Sequence, residues 1–467
     1  MIKLSKNKKL PIYIQIYRQI KNDIINGNIS AKSKLYSVRS LSQELNVSVN
    51  TIRMAYKLLQ NEGYIKSQPK SGYIVVDIQK YHINRSPNNK MVKVNQQRNS
   101  IIEENHIEYD FTYQRMSMEL FPVMKWLKYT KEALLGPDVY KMGQYNDMKG
   151  ELELREEIRK YLAVSRGVNC DVGQIIVCSG IQHSIEILCR IMSPGTVALE
   201  SPGIPLWKKI FSRNGFEVLE LSVYPKNNYI ESLMKSNAKI AITTPSHQFP
   251  TGYTFSLQER MQLLQWGAET NGIVIEDDYD CEFRYASQPL TAMQSMDLND
   301  CVLYLGTFSK ILLPGIRISY MVLPKKLLPD YDREYNLYPS GIPWITQKTL
   351  YHFMAMDDFS RYISRTRIFF KEKYDTLVQA FKEHFKDKVE IIGNDAGLHI
   401  LIRVIEADSQ ETLIEKAARK HVRVYSVNEY WTDECPANIL LIGYSFLNKT
   451  EIQEGVLRLK EAWKEYL

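Results

Sequence analysis

The chain has few cysteines and histidines for its length, 6 and 8 in 467 residues. Cys170, Cys178, Cys189, Cys281, Cys301 and Cys435 form no Cys-x-x-Cys pair and no Cys/His group at metal-ligand spacing. That excludes a zinc module and a disulfide framework, so no metal is expected. No uninterrupted apolar run approaches the roughly 18 residues that a membrane helix requires, and the N-terminus carries lysines where a signal peptide has an apolar core. A soluble cytoplasmic protein, with no membrane partner, is expected.

Positive charge, by contrast, is concentrated at one end. Residues 1 to 90 carry a net +12 in a chain that is +7 overall, which leaves −5 for the rest. A basic head on a mildly acidic body fits nucleic-acid contact by the head, because phosphate neutralisation supplies most non-specific affinity. The length predicts a small domain joined to a large one.

In the head, Ile16, Ile20 and Ile24 recur at helical spacing after Pro11, and Asn26-Gly27 closes that first helix. Ser37 is placed to cap a second helix, Val38 to Leu45, and Ser48 a third, Val49 to Asn61, with Asn46-Val47 as the tight turn between them. Tyr64 to Lys66 and Tyr73 to Val76 read as strands of a wing around Gln68-Pro-Lys-Ser-Gly72. Helix, helix-turn-helix and wing make a winged helix over residues 1–76. With the third helix in the major groove, Asn50, Thr51 and Arg53 face DNA and Ile52, Ala55, Leu58 and Leu59 face the core. Arg39, Ser48, Lys70 and Gly72 complete the expected DNA-binding set. The run from Leu35 to Gly63 closely resembles the GntR-type signature, with Tyr36 where that family often has Pro and Val49 where it often has Arg.

Residues 77–108 are poor in large apolar side chains, rich in Asn, Gln, Lys and Ser, and hold no sustained periodicity. They read as a flexible linker between the head and a body spanning 109–467.

In the body, apolar runs at Gln174–Cys178, Thr196–Glu200, Lys239–Thr243, Gly272–Glu276 and Val302–Leu305 alternate with amphipathic helical stretches. Continuous apolar strands imply an α/β fold with a mostly parallel sheet buried on both faces, and such sheets gather ligands at the carboxyl ends of their strands. The chemistry-bearing residues fall there. Ser179-Gly180-Ile181-Gln182 opens a helix after one strand, which suits a phosphate. Glu276-Asp277-Asp278-Tyr279 follows another, where a carboxylate can keep a pyridinium nitrogen protonated and Tyr279 can donate to a phenolic oxygen. Lys310 lies among Leu303, Leu305, Ile311 and Leu312, surroundings that favour the neutral, nucleophilic amine. Thr307, Ser309 and Arg317 around it supply phosphate donors and positive charge.

The order and spacing of these clusters resemble fold-type I aminotransferases over essentially the whole body, with further matches at Tyr145, Gly150, Leu154-Arg155, Glu200-x-Pro-Gly203 and Thr244-Pro-x-His-x-x-Pro-Thr-Gly252. The resemblance implies a large domain with a smaller C-terminal α+β subdomain and pyridoxal 5'-phosphate as cofactor. Lys310 is then its Schiff-base lysine, Asp277 the partner of its ring nitrogen and Tyr279 that of its ring hydroxyl. Gly180, Ile181, Gln182, Thr307 and Arg317 would hold the phosphate, and Tyr145 would reach the partner subunit's phosphate in a homodimer. A GntR-like head on such a body is similar to the MocR-type transcriptional regulators, which the Thr244–Gly252 and Glu276–Tyr285 stretches also resemble.

Where true aminotransferases place an Asn before Pro-Thr-Gly, this chain has Phe249. Where they carry the Arg that clamps a substrate carboxylate, it has Leu441, and Ile204 stands where an aromatic stacks on the cofactor ring. Leu206 replaces a second substrate-binding Arg of the family's GABA-responsive members, so an amino-acid effector of that kind would be poorly held. His183 and His247 are assigned no role.

The leading expectation is a transcription regulator that binds double-stranded operator DNA and senses pyridoxal phosphate, or an amine reacting with it, with control of vitamin B6 or amino-acid metabolism genes in view. The body then serves as a sensor, not an enzyme, with no catalytic residue assigned. The competing readings are an active aminotransferase that carries a DNA-binding head, separable by a turnover assay, and a DNA-binding scaffold with a dead body, separable by cofactor absorbance.

Overall fold

Ser37 and Ser48 each turn a side-chain oxygen onto a backbone N–H three residues on, and those two caps set the register of the head. The structure is a computed structural model. It describes residues 2, 4, 10–69, 72–77, 107–224, 228–285, 290–393, 396–407, 409–432 and 435–467. The chain divides into two compact units, Met1–Ile101 and Ile102–Leu467. Most of the expected linker, residues 78–106, lies outside the described residues.

The head holds α1 (Ile12–Ile25), α2 (Val38–Glu44) and α3 (Val49–Asn61), then an antiparallel wing of β1 (Ile65–Gln68) and β2 (Gly72–Val75). Asn46 takes a left-handed φ of 51° in the turn between α2 and α3, a conformation Asn tolerates better than most residues. Ile16, Ile20, Ile24, Ile52, Ala55 and Leu59 form the core, and each large aliphatic side chain so buried is worth about 1.5–3 kcal/mol. The expected core needs one correction. Leu58 is only half-buried, and Tyr56 takes the inner position, its hydroxyl donating to the Tyr36 carbonyl at 2.9 Å. That bond satisfies the one polar atom that burial of a tyrosine brings inside.

The body begins at β3 (Tyr109–Asp110) and passes through helices α4 (Val123–Leu135) and α5 (Leu152–Arg166). There follow β4 (Ile175–Cys178), α6 (Ile181–Ile191), β5 (Thr196–Ser201), α7 (Pro205–Arg213), β6 (Glu217–Ser222), α8 (Tyr229–Met234), β7 (Ile240–Thr243), α9 (Leu257–Thr270), β8 (Ile273–Asp278), β9 (Val302–Thr307) and β10 (Ser319–Val322). The seven strands lie in the order β4-β10-β9-β8-β7-β5-β6. All pairs from β9 to β6 are parallel, whereas β10 is antiparallel to both of its neighbours. Every residue of the six strands other than β6 is buried. Side chains alternate between two cores: Ile175 and Val177 join one with Tyr304 and Tyr320, while Ile176 and Cys178 join the other with Leu303 and Leu305. That is the two-sided burial expected of such a sheet.

After α10 (Leu328–Tyr335) and α11 (Trp344–Ala355), the 28-residue helix α12 (Asp358–Phe385) leads into the smaller lobe. Its first half packs Phe359, Tyr362 and Phe370 into the large core; its second half gives Tyr374, Leu377, Phe381 and Phe385 to another. That lobe contains β11 (Val389–Ile392), β12 (His399–Val404), α13 (Gln410–Arg419), β13 (Val422–Arg423), β14 (Tyr425–Ser426), β15 (Ile439–Gly443) and α14 (Lys449–Ala462). Its sheet runs β11-β12-β15-β14, all antiparallel, while β13 pairs with β3. No helix among the described residues is long and apolar enough to cross a membrane.

Candidate cofactor site and DNA-binding surface

The carboxyl ends of β4, β8 and β9, and the turn entering β10, carry the expected cofactor residues. Gly180, at the start of α6, has φ +85°, and a Cβ there would lie 2.8 Å from Cζ of Arg317. Only a glycine lets the guanidinium reach the helix N-terminus, where the N–H groups of Ile181 and Gln182 begin the helix. The Gln182 side chain is turned away onto Glu186, at 3.0 Å. Thr307 accepts the N–H of Ser309 at 3.1 Å, and the Ser309 hydroxyl is buried with no partner among the described residues.

Lys310 keeps part of its surface in solvent, yet protein crowds its amine. Its Nζ donates to the Tyr113 carbonyl at 3.3 Å and lies 5.0 Å from the centre of the Tyr113 ring. Desolvation pushes its pKa down while Asp280 pulls it up, with the net effect downward. Asp277 is 1 % exposed, and neither of its carboxylate oxygens has a hydrogen-bond partner among the described residues. Burial, then Asp278, Glu200 and Asp280, raise its pKa well above the usual carboxylate range. Tyr279 has its hydroxyl 3.1 Å from Nδ1 of His247, and burial raises its pKa. Tyr145 is 92 % exposed and is not brought to Lys310 within the chain.

Around these residues lie contacts the sequence did not reveal. Asp280 holds Nδ1 of His247 at 2.8 Å. Arg166, at the end of α5, makes a 2.7 Å ion pair with Asp278 and donates to Ser246 at 2.7 Å, while Tyr304 donates to Asp278 at 2.6 Å. Glu200 accepts four bonds, from the Thr243 hydroxyl, the Thr244 hydroxyl and N–H, and Gln248. Leu441 is fully buried with Phe249, Leu401 and Tyr430, beside Tyr113 and Tyr279. Arg403, on β12, is already bound to Glu390 and the Tyr224 hydroxyl.

The residues present suit a phosphorylated pyridine aldehyde. A ring N–H would meet the orphaned Asp277 oxygens, a phosphate would meet the Gly180–Arg317 cradle and Ser309, and Lys310 offers an amine biased toward neutrality.

In the head, Arg39, Asn50 and Arg53 are exposed, with Arg53 donating to Asn50 at 3.1 Å. Ser48 and Thr51 share a 2.8 Å hydroxyl bond, and Ser48 Oγ also accepts the Thr51 N–H. Gly72 has φ +92° at the start of the wing strand. Lys70 lies outside the described residues.

Residues 113–440 match the aminotransferase class I and II family, and residues 12–75 match the gntR family of bacterial regulatory proteins. The uncharacterized HTH-type transcriptional regulator YhdI of Bacillus subtilis is 35% identical over 98% of this chain and 97% of its own. The probable rhizopine catabolism regulatory protein MocR of Rhizobium meliloti is 27% identical over 99% of this chain and 96% of its own. Among solved structures, the multiple substrate aminotransferase of Thermococcus profundus superposes with a TM-score of 0.70 at 23% identity, covering 78% of this chain and 93% of that one. This last likeness speaks to fold alone.

Proposed function

The chain belongs to the MocR-type transcriptional regulators, a gntR-family head joined to a class I and II aminotransferase body, and on that footing we propose that its body is a sensor built on pyridoxal phosphate. The observation that carries this reading is Asp277, a buried carboxylate with two unpartnered oxygens at the end of β8. Leaving such a group unmatched costs about 1–3 kcal/mol or more, and a ring N–H removes that cost.

Bound there, pyridoxal phosphate would supply an aldehyde that captures amines reversibly. Lys310 offers the amine, and desolvation lowers its pKa in the direction that favours the nucleophilic form. Asp277 would retain the proton on the ring nitrogen, Tyr279 would meet the ring hydroxyl, and Gly180, Ile181, Gln182, Thr307 and Arg317 would hold the phosphate. Packing of Leu441 with Phe249 and the commitment of Arg403 to Glu390 leave neither position free to clamp a substrate carboxylate. That supports pyridoxal phosphate itself, or an amine without a carboxylate, as the effector, and a sensor in place of an efficient transaminase.

Met124, Leu127 and Leu135 of α4, with Tyr140 and Tyr145 beyond it, expose an apolar stretch that supports pairing with a second copy in a cytoplasmic homodimer. Paired heads then bind operator DNA through Asn50, Thr51 and Arg53, with Arg39 on phosphate. Occupancy of the body shifts operator affinity by a coupling free energy of about 1–3 kcal/mol.

The test is operator binding at fixed salt by protein stripped of cofactor, titrated with pyridoxal phosphate beside Lys310→Ala. A cofactor-dependent shift of about fivefold or more that the variant lacks is expected. Operator affinity indifferent to the cofactor in both proteins would overturn the reading.

A further inference from the structure

His247 is a buried histidine with one nitrogen engaged and the other without a hydrogen-bond partner among the described residues. Its Nδ1 lies 2.8 Å from Asp280 Oδ2, and both side chains are about 4 % exposed. An ionised carboxylate only accepts, so the short contact puts the proton on Nδ1 and leaves Nε2 with a bare lone pair. That Nε2 is among the buried atoms that make no hydrogen bond, together with both oxygens of Asp277 and the hydroxyl of Ser309. The ring cannot swing away. Gly397, at φ +77°, passes so close that a Cβ there would lie 2.9 Å from both His247 Nδ1 and Asp280 Oδ2. The Gly397 carbonyl is in turn fixed by the hydroxyls of Tyr285 and Tyr444.

We propose that His247 is the proton acceptor of the effector site: its Nε2 takes a proton from the ammonium group of an incoming amine, and Asp280 stabilises the imidazolium that results. This rests on the reading of the body as an amine-responsive site. An amine reaches the site protonated, and only its neutral form is a nucleophile. The proton leaves the ligand nitrogen for Nε2, the N–H on Nδ1 stays with Asp280, and the ligand is left with its lone pair. Asp280 plays the orienting and charge-compensating part that a carboxylate plays behind any catalytic imidazole.

The charged and titratable groups facing the ring are Asp280 and Tyr279 from the end of β8 and His399 from β12, whose ring centre is 5.7 Å away. Burial, then the neighbouring His247, push His399 down to about 3, so it stays neutral and does not compete for the proton. Lys310 Nζ is held on the Tyr113 carbonyl, whereas His247 is a base hydrogen-bonded to a carboxylate.

Two measurements test this. Nitrogen NMR of the cofactor-free protein should show His247 as the Nδ1–H tautomer, and Asp280→Asn should lose that preference; an Nε2–H tautomer in the unmodified protein overturns the proposal whatever the cofactor does. In cofactor-loaded protein, stopped-flow absorbance with a simple primary amine as probe should show capture slowed about 100-fold or more in His247→Gln, with one pH inflection gone. Capture within about threefold of the unmodified protein, with the same pH profile, overturns it. Cofactor uptake is measured first: failure of the unmodified protein to take up pyridoxal phosphate sinks the reading of the body, and the tautomer then decides on His247 alone.

Discussion

Gly180 and Arg317 occupy one another's space so closely that a single added carbon on the glycine would meet the guanidinium. Substituting Gly180→Ala therefore has to move Arg317 as well as strain a backbone at φ +85°. Affinity for pyridoxal phosphate is expected to fall tenfold or more, read by fluorescence titration, while the circular dichroism of the body stays unchanged. Retained affinity would show that Arg317 does not hold the phosphate.

Asp277 predicts a trade between stability and binding. Its folded pKa is raised, so the carboxyl destabilises the cofactor-free body above the unfolded value of about 3.9, and the cost grows as pH rises toward the folded pKa. Cofactor-free Asp277→Asn should thus be more stable than the unmodified protein near neutrality, by about 1–3 kcal/mol. The gain should vanish toward pH 4, as followed by urea denaturation. The same variant should bind cofactor far more weakly.

The buried pair of Arg166 and Asp278 should behave in the opposite sense. Removing one partner strands the other in an interior site, so Arg166→Met is expected to cost about 3–5 kcal/mol. Denaturant midpoints of the body measure it, and a cost below about 1 kcal/mol would mean that solvent reaches Asp278.

In the head, two substitutions should separate folding from recognition. Ser37→Ala removes the cap of α2 and should lower stability by about 0.5–2 kcal/mol. Arg39→Ala should leave stability unchanged and weaken binding to all DNA alike, with the salt slope reduced by about one. Gel-shift titrations across a salt series distinguish them.

Much of this protein is set by short-range chemistry that a sequence displays directly. Serine caps at 37 and 48 and isoleucines at 16, 20 and 24 act within a turn or two of their own positions, so their roles were legible from spacing alone. The wing and the five apolar strands were legible for the same reason. Other features depend on residues that meet only when the chain is folded. β10 inserts between β4 and β9 against the direction of both, and its pairing with β4 joins segments more than 100 residues apart. His247 finds Asp280 and Gly397, and Arg166 finds Asp278, across gaps that carry no periodic signal. Tyr56 displaced Leu58 from the expected core because a carbonyl at Tyr36 was in reach of its hydroxyl. Sequence by itself determined which elements form and which side chains are offered at the strand ends; only the tertiary structure decided which buried polar atoms find partners, because that depends on distance in space and not along the chain.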